Sequence, residues 1–199
     1  HRDLHSFPTR RSSDLIGNVA AATLTVLDST FSGNVTQYSS QSAFGGAIHS
    51  GGIEQLLVRN CTFFDNLASS TWSYGGAIYA APAAGKFALI QNSTFVNNRS
   101  ESGTSNTGGG AICGNSSSPY RTIIESCVFQ GNWAKATDHG TCMKYCGIMN
   151  SVYHTTVSYC TDLGGNTVTS AAGVSTVLAD NGGSTLTLPL LVGSPAINT

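Results

Sequence analysis

Gly75 to Asn98 reads GGAIYAAPAAGKFALIQNSTFVNN, and both of its ends recur along the chain. Gly-Gly-Ala-Ile starts at Gly45, Gly75 and Gly109. The closing Phe-x-x-Asn recurs at Phe31 to Asn34, Phe63 to Asn66, Phe95 to Asn98 and Phe129 to Asn132, with a Leu-headed copy at Leu163 to Asn166. The asparagine numbers advance in nearly equal steps, from Asn34 through Asn66, Asn98 and Asn132 to Asn166. A steady period in this range marks one structural unit stacked upon itself. Within the unit, Gly75 to Ala80 reads as a short strand, Pro82 and Gly85 as a turn, Phe87 to Ile90 as a second strand and Ser93 to Phe95 as a third. Asn98 closes a corner, and Arg99 to Thr107 reads as a polar loop of variable length. Three short strands joined by corners make one turn of a parallel β-helix, each turn rising by about 4.8 Å. The expected fold is therefore all-β: a single-stranded parallel β-helix of about five coils, each of roughly 30–34 residues.

Aligning the copies yields columns of like residues. Val26, Val58, Ile90 and Ile124 form one, and Val157 joins it if one residue is inserted between Cys160 and Leu163. Ser29, Cys61, Ser93 and Cys127 form a second, which Cys160 joins with the same insertion. Phe31, Phe63, Phe95, Phe129 and Leu163 are expected as an internal ladder, since stacked coils place equivalent side chains over one another. Asn34, Asn66, Asn98, Asn132 and Asn166 are expected as a corner ladder. Asparagine tolerates a left-handed backbone, and its amide can bond the asparagines above and below.

The chain divides into three parts. His1 to Leu15 reads HRDLHSFPTRRSSDL, carries none of the repeat, and from Ser6 onward resembles the translation of a common sequencing adapter. It is expected to be a disordered artefact outside the fold. Residues 16–177 are expected to hold the coils, and residues 178–199 a truncated C-terminal segment packed on the last coil. From Ile16 onward there are six Lys and Arg against eight Asp and Glu, too even a balance for a nucleic-acid partner. No apolar run is long enough to span a bilayer as a helix.

Gly-Gly-Ala-Ile combined with Ser/Cys-Thr-Phe-x-x-Asn resembles the repeats of polymorphic outer membrane proteins and related bacterial right-handed β-helix proteins. The tail from Leu178 through Gly193-Ser-Pro-Ala-Ile-Asn198 resembles the end of domains described as carrying a choice-of-anchor region. The resemblance spans Leu24 to Thr199. It implies a right-handed coil and an extracellular or cell-surface, outer-membrane-associated protein. Function is less specified, because this fold hosts adhesins and polysaccharide enzymes alike.

Residue chemistry favours a scaffold over an enzyme. Glycoside hydrolysis needs two carboxylates facing each other across a groove. The acids Asp28, Glu54, Asp65, Glu101, Glu125, Asp138, Asp162 and Asp180 fall at scattered offsets from the Phe column, so no catalytic residue is assigned. Cys113, Cys142 and Cys146 are the candidate disulfide residues, while Cys61, Cys127 and Cys160 read as buried thiols. A zinc set of His139, Cys142, Cys146 and His154 lacks a paired Cys-x-x-Cys knuckle, so neither metal nor cofactor is expected. His49 corresponds to Tyr79 and Cys113 and reads as a lateral surface position. Tyr38, Trp72, Tyr74 and Trp133 fall in the variable loops and are the candidate ligand contacts, for a glycan or a cell-surface protein. The expected function is a non-enzymatic extracellular repeat segment, adhesin-like in displaying loops. The alternative is a fragment of a polysaccharide lyase or glycoside hydrolase.

Overall fold

The computed structural model describes residues 16–18, 22–102, 108–114, 121–135, 141–143, 146–153 and 160–197. His1 to Leu15 and Val157 lie outside them. The chain is a parallel β-solenoid in which each sheet is built from strands one coil apart in sequence. A phenylalanine sheet stacks Thr30–Ser32, Thr62–Phe64, Thr94–Val96, Val128–Gln130, Val152–Tyr153 and Thr167–Val168. A broad sheet contains Thr23–Leu27, Ile48–Arg59, Ile78–Gln91, Thr122–Glu125, Cys146–Met149 and Cys160–Asp162, joined by Ile16–Asn18, Ile112–Gly114 and Cys142–Met143. A flank sheet stacks Val35–Gln37, Leu67–Ser70, Arg99–Ser102 and Trp133–Ala134. A small sheet pairs Ser42–Phe44 with Trp72–Tyr74.

The sides of the coil differ from the sequence expectation. The two strands expected between Gly75 and Ile90 are one 14-residue strand, Ile78–Gln91, with register shifts between Ala81 and Phe87. The third side lies in what reads as loop, at Arg99–Ser102 and its equivalents. That side carries no apolar signal because its inward residues are small. Thr36, Ala68, Ser100 and Ala134 are buried in register. Polar atoms among them are satisfied: Thr36 Oγ1 donates to the Gly45 carbonyl at 2.8 Å, and the Ser73 and Ser100 hydroxyls share a bond at 3.0 Å.

The core is a stack of like side chains. Adjacent rings from Phe31 to Phe129 lie 4.9, 4.8 and 4.9 Å apart, at interplanar angles of 5°, 2° and 8°. Beside them Val26, Val58, Ile90, Ile124 and Ile148 stand in one register column. Ile148 takes the place expected for Val157. Each stack buries apolar area and fixes the register, since a slip of one residue would turn the column outward.

Regular stacking extends for about three turns rather than five. The corner asparagines step by 32, 32 and 34 residues from Asn34 to Asn132. Above them the step contracts to 24 residues between Cys127 and Ser151 and to 15 between Ser151 and Asn166. Leu163 and Asn166 therefore leave the ladders expected of them. Val128 pairs with Val152, which sets Tyr153 in the row above Phe129. Leu163 is instead 40% exposed. Asn166 Oδ1 accepts from the Ser151 backbone N–H at 2.9 Å, so Asn166 continues the Ser29, Cys61, Ser93, Cys127, Ser151 corner. Cys160 does not join that corner; it pairs with Cys146 in the broad sheet.

The left-handed positions also lie one residue from where the repeat suggests. Positive φ falls on Gly33, Asp65, Asn97 and Gly131, each just before a ladder asparagine, and on Asp28, Asn60, Asn92, Ser126 and Asn150 at the other corner. The ladder asparagines bond instead. Asn66 Oδ1 accepts from the Asn34 backbone N–H at 3.1 Å and from Asn34 Nδ2 at 2.8 Å, and Asn66 Nδ2 donates to the Phe31 carbonyl at 3.0 Å. Asn98 repeats this pattern against Asn66 and Phe63. Glycine is required where coils touch: a Cβ on Gly76 would lie 2.0 Å from the Gly110 carbonyl oxygen.

The C-terminal segment forms an antiparallel hairpin, bridged at Val174–Leu190 and Ala179–Thr187. It lies along the outer face of the phenylalanine sheet rather than over the last coil. Gln130 Nε2 donates to the Val174 carbonyl at 2.8 Å, and the Val174 N–H donates back to Gln130 Oε1 at 2.9 Å. Three coils lower, Thr30 Oγ1 donates to the Leu186 carbonyl. Between these anchors Val174, Leu178 and Leu188 cover Phe64, Val96, Val128 and Val152. That outward apolar stripe explains the placement, since an open end of the stack offers no comparable surface to bury.

Candidate functional site

Of the aromatic residues expected in loops, Trp72, Tyr74 and Trp133 lie on strands, and Tyr38 lies just past Val35–Gln37. The flank sheet's solvent-facing column is Val35, Leu67, Arg99 and Trp133, in register. Trp133 is 46% exposed. Alternation along the strand also turns Glu101 outward, and Arg99 Nη1 lies 3.5 Å from Glu101 Oε1. Farther along this side, Tyr38 and Trp72 are exposed. The Tyr38 N–H donates to the Ser69 carbonyl at 3.1 Å, which ties it to the coil above. Trp72 opens Trp72–Tyr74 of the small sheet, just past the bend at Thr71 that follows Leu67–Ser70. Tyr38 and Trp72 thus lie beside the bend that ends the flank strands, while Trp133 stands on a flank strand itself.

Tyr74 is half-buried rather than exposed. Its ring stacks on Phe44 at 5.4 Å and 12°, and Phe44 also meets His49 at 5.1 Å and Tyr79 at 4.6 Å. His49 approaches Tyr79 edge-on at 5.4 Å. His49, Tyr79 and Cys113 do share a register column, but the aromatic cluster roofs it, leaving Tyr79 and Cys113 buried. Burial raises the Tyr74 hydroxyl pKa, with a smaller contribution from Cys113. Phe44 escaped the sequence reading, which set His49 at a lateral surface position with Tyr79; the signal available was Phe44 and Tyr74 standing each just before a Gly-Gly pair.

Acids are spread over the surface and engaged locally. Glu54 pairs with Lys86, Glu125 accepts from Gln91 Nε2 at 2.6 Å, and Asp28 accepts from Asn60 Nδ2 at 3.0 Å. Asp162 caps Gly164 and Asn166, and Asp180 caps Gly182. Partial burial raises the Asp65 pKa against the opposing effects of Asn97 and Arg99. Each described acid thus answers a cation, an amide or its own turn. Among the described residues no three His, Cys, Asp or Glu side chains converge as a metal site. Asp138, His139 and His154 lie outside the described residues.

The cysteines separate by register. Cys61 and Cys127 are buried thiols whose Sγ atoms donate to the Arg59 and Glu125 carbonyls at 3.1 and 3.2 Å. Burial pushes their pKa values up to about 11 and about 12. Cys113 pairs with Met143, and Cys142 with Ile112. Cys142 thus stands one strand from Cys113 and one residue out of register with it, while Cys146 pairs with Thr122 below and Cys160 above.

Among the described residues no helix is long and apolar enough to cross a membrane, which says nothing of β-barrels. No curated protein and no solved structure matches the chain. Residues 28–51 match the family model of the Chlamydia polymorphic membrane protein repeat. The match runs from the left-handed corner at Asp28, through Phe31 and Asn34, to the Gly-Gly-Ala-Ile of the next coil. The chain is therefore a parallel β-solenoid carrying a repeat like that of polymorphic membrane proteins, which are surface proteins of the outer membrane.

Proposed function

We propose that this chain is a non-enzymatic display segment of a secreted or cell-surface protein, associated with an outer membrane and adhesin-like. The observation that carries this reading is the division of labour between the two sides of each coil. Inside, successive coils repeat the same Phe, Ile or Val and Asn. Outside, on the flank, equivalent positions differ: Val35, Leu67, Arg99 and Trp133 occupy one column. A rigid stack with a varied face suits recognition by shape. Exposed Trp72, Trp133 and Tyr38 supply large, low-entropy contact area for a glycan or a cell-surface protein. Acids engaged locally, rather than facing one another in pairs, support display over polysaccharide cleavage.

Beads coated with the full chain, applied to cultured epithelial cells, test this reading. The expected result is retention by the wild type and loss by Tyr38→Ala/Trp72→Ala/Trp133→Ala, with both proteins unfolding at the same temperature. Equal retention would remove the flank from the account. Turnover of pectin or alginate by the wild type would replace display with catalysis.

A further inference from the structure

One interior column ends in two cysteines. It runs Leu24, Leu56, Ala88, Thr122, Cys146 and Cys160, each in register with the next. The column faces the core: Leu56, Ala88, Thr122 and Cys146 are buried, and Cys160 packs against the same apolar cluster. Opposed residues of in-register parallel strands share a face and sit about 4.8 Å apart at the backbone. Disulfides accept Cα separations of roughly 4.4–6.8 Å. No other two described cysteines are in register on neighbouring strands. Cys61 and Cys127 have Ser93 between them in their corner, a separation of roughly 10 Å.

We propose that Cys146 and Cys160 close into a disulfide when the protein meets a small-molecule disulfide, locking the last coil to the stack. Cys160 is half-buried and is the sulfur a solvent oxidant reaches first. Its thiolate attacks the oxidant's S–S bond, one thiol leaves, and a mixed disulfide forms. The Cys146 thiolate then attacks the Cys160 sulfur and expels the second thiol. The protein loses two protons and two electrons, and the oxidant becomes two thiols. The bond closes the chain from Cys146 to Cys160 into a ring. It falls where the regular coil period breaks down. Here the step has contracted to 15 residues and the neighbouring strands Val152–Tyr153 and Thr167–Val168 are two residues long. The chemistry is independent of what the flank displays.

The reduced full chain, equilibrated in graded mixtures of reduced and oxidised glutathione, is quenched with acid, alkylated and peptide-mapped by mass spectrometry. The expected product is lighter by roughly 2 Da, has two fewer alkylatable thiols in denaturant, and yields a Cys146–Cys160 cross-linked peptide. Cys160→Ser, on the partly exposed end strand of the broad sheet, abolishes the mass loss while keeping the wild-type circular dichroism spectrum. Cys113→Ser leaves the mass loss intact. Retention of all six thiols at every ratio, a glutathione adduct on Cys160 as the end product, or a bridge mapped to another pair would overturn the proposal.

Discussion

Replacing Asn66 tests how much the corner ladder contributes. The residue is fully buried, and its amide makes four hydrogen bonds. Oδ1 accepts from Asn34 N at 3.1 Å and Asn34 Nδ2 at 2.8 Å, while Nδ2 donates to the Phe31 carbonyl at 3.0 Å and to Asn98 Oδ1 at 2.8 Å. Asn66→Ala strands the Asn34 N–H away from water and removes one of the bonds to the Phe31 carbonyl, which stays in the strand ladder. A buried orphan costs about 1–3 kcal/mol and each further lost bond about 0.5–1.5 kcal/mol, so the loss is roughly 2–5 kcal/mol. That is a large share of the roughly 5–15 kcal/mol by which a domain is stable. Asn66→Asp is a sharper probe, because it preserves shape and the accepting oxygen. Its second oxygen faces two acceptors, Phe31 O and Asn98 Oδ1, which disfavour the carboxylate and raise its pKa in the folded state. The folded protein then binds the proton more tightly than the unfolded chain. Its stability is greatest below the unfolded carboxyl value, about 3.9, and falls as pH rises through the raised folded value. Urea titrations followed by tryptophan fluorescence at several pH values measure both effects. A loss under about 1 kcal/mol for the alanine variant, or wild-type stability for the aspartate variant at neutral pH, would refute the ladder argument.

Other expectations follow from the same geometry. Gly76→Ala drives a Cβ into the Gly110 carbonyl of the next coil and should prevent folding, seen as loss of the β circular dichroism signal, whereas Gly85→Ala, with positive φ but open surroundings, should fold at a cost of about 1–2 kcal/mol. Cys61 and Cys127, with thiols pushed up to about 11 and about 12, should resist iodoacetamide at pH 8 in the native state and react after denaturation. Their folded pKa values lie above the unfolded thiol value of about 8.5, so the stability they contribute is intact below that pH and is lost as pH rises towards the folded values. Gln130→Ala should speed hydrogen exchange at the Val174 amide while leaving the Phe95 amide protected, because among the described residues the hairpin makes no backbone hydrogen bond to a coil; unchanged exchange at Val174 would mean the hairpin is held elsewhere.

What the sequence disclosed, and what it did not, follows from side-chain size. Phe31, Phe63, Phe95 and Phe129 are legible because an interior that wide must be filled by the same large ring on every coil. The flank sheet was not legible, because Thr36, Ala68, Ser100 and Ala134 face inward and read as loop composition. Nor were the upper coils, where the period falls to 24 and 15 residues and alignment by Asn spacing gave Asn166 a place that its hydrogen bonds do not. The left-handed corner could have been found: Gly33 and Gly131 occupy it directly, next to the asparagine that drew the eye. On the candidate site, exposure of Tyr38, Trp72 and Trp133 agrees with their aromatic character in polar surroundings. The half-burial of Tyr74 depends instead on Phe44 of the preceding coil, which pairs with it across the small sheet and stacks on its ring.

Nuclear Overhauser spectroscopy on protein with ring-labelled phenylalanine tests the stacked architecture most directly. Rings one coil apart in sequence are centred 4.8 to 4.9 Å apart in space. The account predicts strong ring-to-ring contacts for Phe31 with Phe63, Phe63 with Phe95 and Phe95 with Phe129, and none between Phe31 and Phe95, two rungs apart. Missing nearest-neighbour contacts, or a direct Phe31 to Phe95 contact, would contradict it.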